Sequence, residues 1–230
     1  MAKHYVSNVD QSVRMFRSDL MESLSHVHPA VPHLIFIPVM IGMTWIGYQR
    51  GLAPLQALGL FATGVLVWTL TEYTVHRFVF HAPAAVESRV RAIAESLPDG
   101  EPVLPALESW RQTFYFIAHG VHHDFPNDSK RLVMPPSVSV PLAVVFYALF
   151  RLVLGPAAAP GLFVGFIAGY LAYDTIHYAV HHFSLRGTLL LYLKKLHFRH
   201  HYGDSAKDYG VSSPLWDLVW GTLSRGASDS

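Results

Sequence analysis

Four apolar stretches, each close to the roughly 20 residues a helix needs to cross a hydrocarbon layer, dictate most of what this chain can become. They cover about residues 31–48 (VPHLIFIPVMIGMTWIGY), 52–71 (LAPLQALGLFATGVLVWTLT), 137–154 (SVSVPLAVVFYALFRLVL) and 161–180. Only Gln49-Arg50-Gly51 separates the first pair, and Gly155 to Pro160 (GPAAAP) separates the second, so each pair reads as a tight helical hairpin. The expectation is an all-α integral membrane protein of four transmembrane helices. A soluble bundle with buried core helices is the alternative, because no stretch is cleanly apolar beyond about 20 residues. Residues 1–30 form an N-terminal segment, 31–222 one membrane-embedded domain, and 223–230 a flexible tail.

Charge placement supports the spans. Of 17 Lys and Arg, three precede the first stretch, six lie within 72–136 and six follow residue 181. Of the remaining pair, Arg50 sits in the first short turn and Arg151 closes the third stretch, beside the second turn. The excess of basic residues on one side places the N-terminus, the middle segment and the C-terminus in the cytoplasm. The first 30 residues carry no basic-then-apolar secretion signal, so delivery rests on the first span. With 51% apolar and 14% charged residues the chain is not disordered. A net charge of +1 removes the electrostatic case for nucleic acid. Having no cysteine, the chain has no disulfide, thiolate nucleophile or Cys-based metal site. Residues 84–97 (AAVESRVRAIAESL) read as a short amphipathic helix, on the membrane or solvated.

Histidine is the residue out of proportion, at 15 copies. Ten fall in four clusters: His76 and His81; His119, His122 and His123; His177 and His181; His197, His200 and His201. All four lie on the side assigned to the cytoplasm. Residues at i, i+3 and i+4 share one helix face, so each His-x-x-His-His aims three imidazoles into one cavity, and His177 with His181 adds two. His76 and His81, five apart, lie about 140° apart on an ideal helix and need a helix end or two different metals. Imidazole suits Zn, Cu, Fe and Ni, and ten ligands exceed the four of a structural zinc site. The expected site is therefore dinuclear, with about five ligands per ion. His4, His26, His28, His33 and His182 read as tail, interface or surface residues. Asp174, three before His177, and Glu72, four before His76, are placed to accept an imidazole N–H and fix its tautomer. Tyr178 joins them as a candidate supporting residue. No side chain is assigned a catalytic role beyond the metal centre.

Four histidine boxes among two membrane hairpins resemble the fatty acid hydroxylase and sterol desaturase superfamily, and most closely its fatty acid 2-hydroxylase branch. The likeness rests on HRFVFH (76–81), HGVHHDFPNDSKRLVMPP (119–136), YDTIHY (173–178), HFRHH (197–201) and PLWD (214–217), and spans about residues 30–222. It implies a cytoplasmic helical cap over the spans and a di-iron centre that uses dioxygen and electrons from an external donor. Zinc, which has no redox chemistry, can replace iron in purified protein and would be inactive. Eukaryotic members often carry an N-terminal haem-binding cytochrome domain. Only about 30 residues precede the first span here, so a separate electron-transfer protein of cytochrome or ferredoxin type is expected. The segment from Ala82 to Trp110 is longer and richer in proline than the resemblance leads one to expect.

The implied reaction is hydroxylation at C2 of a long-chain fatty acid or of the N-acyl chain of a ceramide-type lipid, in the plasma membrane of a bacterium or the endoplasmic reticulum of a eukaryote. A carotenoid ring hydroxylase or sterol-modifying oxidase would share the boxes, but RLVMPP and YDTIHY argue against both. A metal transporter would place ligands near mid-membrane along a path, not at one face.

Overall fold

The computed structural model describes residues 4–224, all helix and connecting segments, with no strand among them. From residue 225 onward the expected tail lies outside the described residues. A short helix, α1 (Asp19–Leu24), capped by the Ser18 hydroxyl, precedes the apolar helices. Three helices are long and apolar enough to cross a membrane: α2 (Val31–Gln49), α3 (Pro54–Val75, continued by a π-helical turn, His76–Phe80) and α7 (Pro136–His182). Proline opens α3 and α7 and follows the first residue of α2, positions where its missing N–H costs nothing.

The second hairpin is tighter than its sequence suggests. Gly155 alone leaves the helical conformation (φ 75°, ψ 176°), and the expected connector of residues 155–160 shrinks to that residue. Pro156 has the φ that starts a helix, and the alanines at 157–159 are the best helix formers, so the helix restarts at once. The two arms fold back on each other: the rings of Phe146 and Phe166 lie 4.6 Å apart, and those of Tyr147 and Phe163 5.1 Å apart. The same arm meets α3 at a glycine crossing. A Cβ on Gly165 would lie 2.0 Å from the Phe61 carbonyl oxygen, and one on Gly64 2.2 Å from that of Leu162. Small residues permit such backbone contact between apolar helices that have no hydrophobic drive to associate in lipid.

Two apolar clusters bracket the molecule. The span cluster gathers Phe36, Trp68, Phe163, Phe166, Ile167 and Tyr170, while Leu34, Leu55 and Leu152 point outward at 72%, 81% and 81% exposure, as lipid-facing side chains would. The cap cluster gathers Met15, Val90, Ala94, Val103, Tyr115, Phe116, Val121 and Phe125. It is built from α4 (Ala84–Ser96), α5 (Trp110–Tyr115), a second π-helical turn (Phe116–Gly120) and α6 (Val121–Asp124), with Met15, Val103 and Phe125 added from the segments between helices. Two further helices pack on the long ones, α8 (Thr188–Tyr202) against α7 and α9 (Leu215–Trp220) against α3. The amphipathic helix expected at 84–97 is α4, and its apolar face packs into this cluster, not onto a membrane or into water.

The N-terminal segment is knitted into the cap. The Val6 and Ser7 N–H groups donate to the Asp124 carbonyl, and Val27 N–H to that of Lys130. Arg131 donates to the Val13 carbonyl, the Glu22 carboxylate, Ser25 Oγ and His26. The arginine of the RLVMPP motif is thus a clamp on residues 13–26.

Candidate metal centre

The ten clustered histidines meet between the two apolar clusters and divide into two groups of five: His76, His81, His119, His123 and His200; and His122, His177, His181, His197 and His201. In each group the ligand-capable atoms all lie within 4.8 Å of one another. None of His4, His26, His28, His33 and His182 joins either group.

The division corrects the reading of one cavity per motif. Within each His-x-x-His-His the i,i+4 pair serves one group and the middle histidine the other. His119 and His123 join the first group while His122 turns to the second; His197 and His201 join the second while His200 turns to the first. A helical step of about 100° per residue separates i+3 from i+4 just enough to feed two adjacent sites. At the seam, His123 and His201 stack with ring centroids 4.2 Å apart. For His76 and His81 the structure takes the helix-end solution. The π-helical turn makes residues five apart neighbours, and His81 closes it in extended conformation (φ −85°, ψ 143°).

The spacing fits a shared cation. Imidazole nitrogens bound at about 2.0–2.1 Å to one ion lie about 3 Å apart when they are adjacent ligands. Nε2–Nε2 separations here are 2.9 Å (His76–His119), 3.0 Å (His119–His123), 3.0 Å (His81–His200), 2.8 Å (His122–His177) and 2.8 Å (His181–His197). In the first group the tautomers follow from the acceptors. Nδ1–H of His76 donates to the Tyr209 carbonyl at 2.5 Å, that of His200 to the Lys207 carbonyl at 2.7 Å, and that of His81 to Glu87 Oε1 at 2.9 Å. The Nε2 atoms are then bare, so the lone pairs of His81 and His200 confront each other and cannot hydrogen-bond. A proton does not resolve this. Burial drives the His200 imidazole down to about 3, and burial first, then neighbouring imidazoles, hold His119, His122, His123, His197 and His201 well below their ordinary value. Neutral rings aiming bare nitrogens at one point are what a metal ion requires.

The anticipated supporting residues stand elsewhere. Asp174 is buried, but His177 Nδ1 takes no hydrogen bond, so the expected pair does not form. Helical side chains lean toward the N-terminus: His177 leans onto the Tyr173 ring (5.4 Å), leaving Asp174 behind it. Glu72 acts one step removed. It accepts from Val211 N–H (2.6 Å), Ser212 N–H (2.8 Å) and the Ser212 hydroxyl. Asp217 accepts from Tyr209 N–H (2.9 Å) and Gly210 N–H (2.7 Å). These two buried carboxylates fix residues 209–212, and that backbone presents the Tyr209 carbonyl to His76. Tyr178 packs on His182 (4.5 Å) and meets none of the ten. Missed in the sequence were Glu87 and the carbonyls of Tyr209 and Lys207; a carbonyl leaves no residue-type signal at all.

With this arrangement in view, its likeness to known proteins is specific. The fatty acid hydroxylase family profile matches residues 61–222, which hold all ten histidines. The chain belongs to the fatty acid hydroxylase family. A dihydroceramide fatty acyl 2-hydroxylase of Arabidopsis thaliana is 37% identical over 211 residues, 91% of this chain and 79% of that protein. The fatty acid 2-hydroxylase of Rattus norvegicus is 32% identical, matching 94% of this chain and 58% of its own length. The solved hydroxylase domain of scs7p superposes with a TM-score of 0.74 at 33% identity, covering 91% of this chain and 72% of that one. Fatty acid hydroxylases are hydroxylating oxidoreductases, and this chain is one, with apolar helices suited to a membrane and a histidine cluster suited to metal.

Proposed function

We propose that the chain hydroxylates C2 of a long fatty acyl chain, free or in N-acyl linkage in a ceramide-type lipid. Two iron ions would be held by the two histidine groups, with dioxygen as co-substrate. The balance is one acyl C2–H, one O2, two electrons and two protons giving one 2-hydroxy acyl group and one water. The electrons come from an electron-transfer protein of cytochrome or ferredoxin type. The observation that carries the reading is the 5 + 5 convergence of imidazoles in a chain whose curated relatives are named as fatty acid 2-hydroxylases, dihydroceramide fatty acyl 2-hydroxylases and ceramide very long chain fatty acid hydroxylases.

Bound iron would supply the redox chemistry against a C–H bond that no side chain provides. The protein's share is to hold neutral rings in fixed tautomers, to keep water out by burial, and to seat the lipid. We read α2, α3 and the two arms of α7 as four spans, with the N-terminus, the cap and the C-terminus cytoplasmic, because basic residues gather on that side. The lipid headgroup then stays at the interface while C2, close behind it, reaches the histidines and the tail lies along the spans.

The test is expression in a host lacking 2-hydroxy lipids, with a ferredoxin and its reductase supplied, followed by lipid analysis and metal determination on purified protein. Accumulation of 2-hydroxy acyl lipids with two ions per chain is expected. Hydroxylated sterols or carotenoids instead, or fewer than two ions in protein never exposed to chelator, would overturn it. Zinc in place of iron would reflect the poor discrimination of imidazole sites.

A further inference from the structure

We propose that Glu87 is the positioning residue for His81, and that an ion in the first histidine group depends on the Glu87–His81 pair. The proposal rests on the metal reading above.

His81 differs from the other nine clustered histidines. They sit in helical turns, whereas His81 is extended, just past the end of the π-helical turn. No helix lattice directs its ring. It is also the one member of the ten that is not fully buried. What fixes the ring is Glu87, in the first turn of α4, whose Oε1 accepts from His81 Nδ1–H at 2.9 Å. That bond puts the proton on Nδ1 and turns Nε2 inward, 3.0 Å from His200 Nε2 and 3.3 Å from His76 Nε2.

Charge makes the same point. Glu87 is 8% exposed, and among the described residues no lysine or arginine pairs with it; Arg89 goes to Glu108 and Arg91 to Asp124. A buried carboxylate without a counter-charge is costly. An imidazole whose far nitrogen is bound to a cation offers a polarised N–H, and the bond becomes a charge-assisted one. The carboxylate thus completes a chain from cap helix to ligand to ion.

The same Oε1 also accepts Ala82 N–H at 3.2 Å, so a turn-holding role has to be separated from a ligand-positioning one. The experiment titrates cobalt(II) into detergent-solubilised, metal-stripped full-length chain. It reads stoichiometry and the visible absorption that reports the ligand set. Wild type is expected to take up two ions. Glu87→Ala should weaken one of them by roughly 10–100-fold, the usual consequence of losing a ligand's hydrogen-bond partner, and leave the other unchanged. Glu87→Gln keeps an accepting oxygen and should restore most of that loss. In a His81→Ala background, Glu87→Ala should add nothing, because the two residues act through one bond. An undiminished effect of Glu87→Ala in that background would assign Glu87 to the turn and overturn the proposal. So would two wild-type-like ions in Glu87→Ala itself. Failure of the wild type to bind cobalt would instead overturn the metal reading, and this inference with it.

Discussion

The two histidine groups have the same number of rings but are held in opposite ways. In the first, three of the five outer nitrogens are tied to acceptors: the Tyr209 carbonyl, the Lys207 carbonyl and Glu87. In the second, Nδ1 of His177, His181, His197 and His201 has no hydrogen-bond partner. Its rings are set by the helices that carry them and by edge-to-face contacts, such as His122 with His181 at 4.7 Å and His177 with His197 at 4.7 Å. One group is oriented by hydrogen bonds to α4 and to the segment after α8; the other is oriented by packing on α7 and α8. The contrast teaches that equal ligand counts do not make equal sites, and it says where each is vulnerable.

The sharpest break is removal of a ring. His200→Ala should cost the first group its ion and His197→Ala the second, and either should abolish 2-hydroxy product, since the chemistry is assigned to the pair. Metal content measured by mass spectrometry should fall from two toward one in each case. Loss of both ions from either variant would erase the distinction between the groups.

A backbone lesion should strike the packed group selectively. Gly165→Leu drives side-chain atoms into the Phe61 carbonyl and pushes the second arm of α7 off α3. Overpacking of this kind costs about 1–3 kcal/mol or more. His177 and His181 ride on that arm, so the second ion should be lost, while the first, which takes His76 and His81 from the turn continuing α3 but no ligand from α7, should be weakened far less. Cobalt titration checks it.

Acid separates folding from metal. The buried imidazoles of His119, His122, His123, His197, His200 and His201 have folded-state values depressed below the ordinary 6.5. The unfolded chain therefore binds more protons, and stability is full above about 6.5 and falls as pH drops through that value toward 3. Each group can contribute a slope of up to about 1.4 kcal/mol per pH unit. Metal-free protein should show a falling Tm between pH 6.5 and 4.5, and loaded protein should keep its ions for as long as it stays folded in that window. A flat Tm would mean the imidazoles are not buried as neutral rings.

Loosening a loop should touch only the hydrogen-bonded group. Asp217→Ala frees the Tyr209 and Gly210 amides and lets the Tyr209 carbonyl drift from His76. Weakening of the first ion by about tenfold is expected. The smallest effect is expected at Asp174→Asn, with iron retention within about twofold of wild type, because no imidazole donates to that carboxylate. A tenfold loss there would show that the packed group has a hydrogen-bonded orienter after all.

Much of this was legible in the residues because periodicity and spacing are local. The apolar stretches became α2, α3 and the arms of α7 with ends shifted by a few residues, and all ten clustered histidines converge while the other five do not. What could not be read depends on contacts far apart in sequence or on the backbone. Glu87 looks like any charged residue in an amphipathic helix until α4 is folded against His81. The link from Glu72 to residues 211 and 212 crosses 139 and 140 positions. Asp174 shows the same limit: spacing on a helix gives proximity to His177 but not direction, and no hydrogen bond links the two.

The interleaving of the two His-x-x-His-His segments has a further consequence. Both straddle the boundary, each lending a pair to one group and a single ring to the other. One residue of α-helix, with a rise of about 1.5 Å, separates rings bound for different destinations. The gap between the groups is therefore graduated by helix pitch, read off twice by α6 with its preceding π-helical turn and by α8, running as a calliper with two jaws. Inserting or deleting one residue inside either segment would swap the addresses of the rings, so the motif tolerates substitution around it far better than a change in its length.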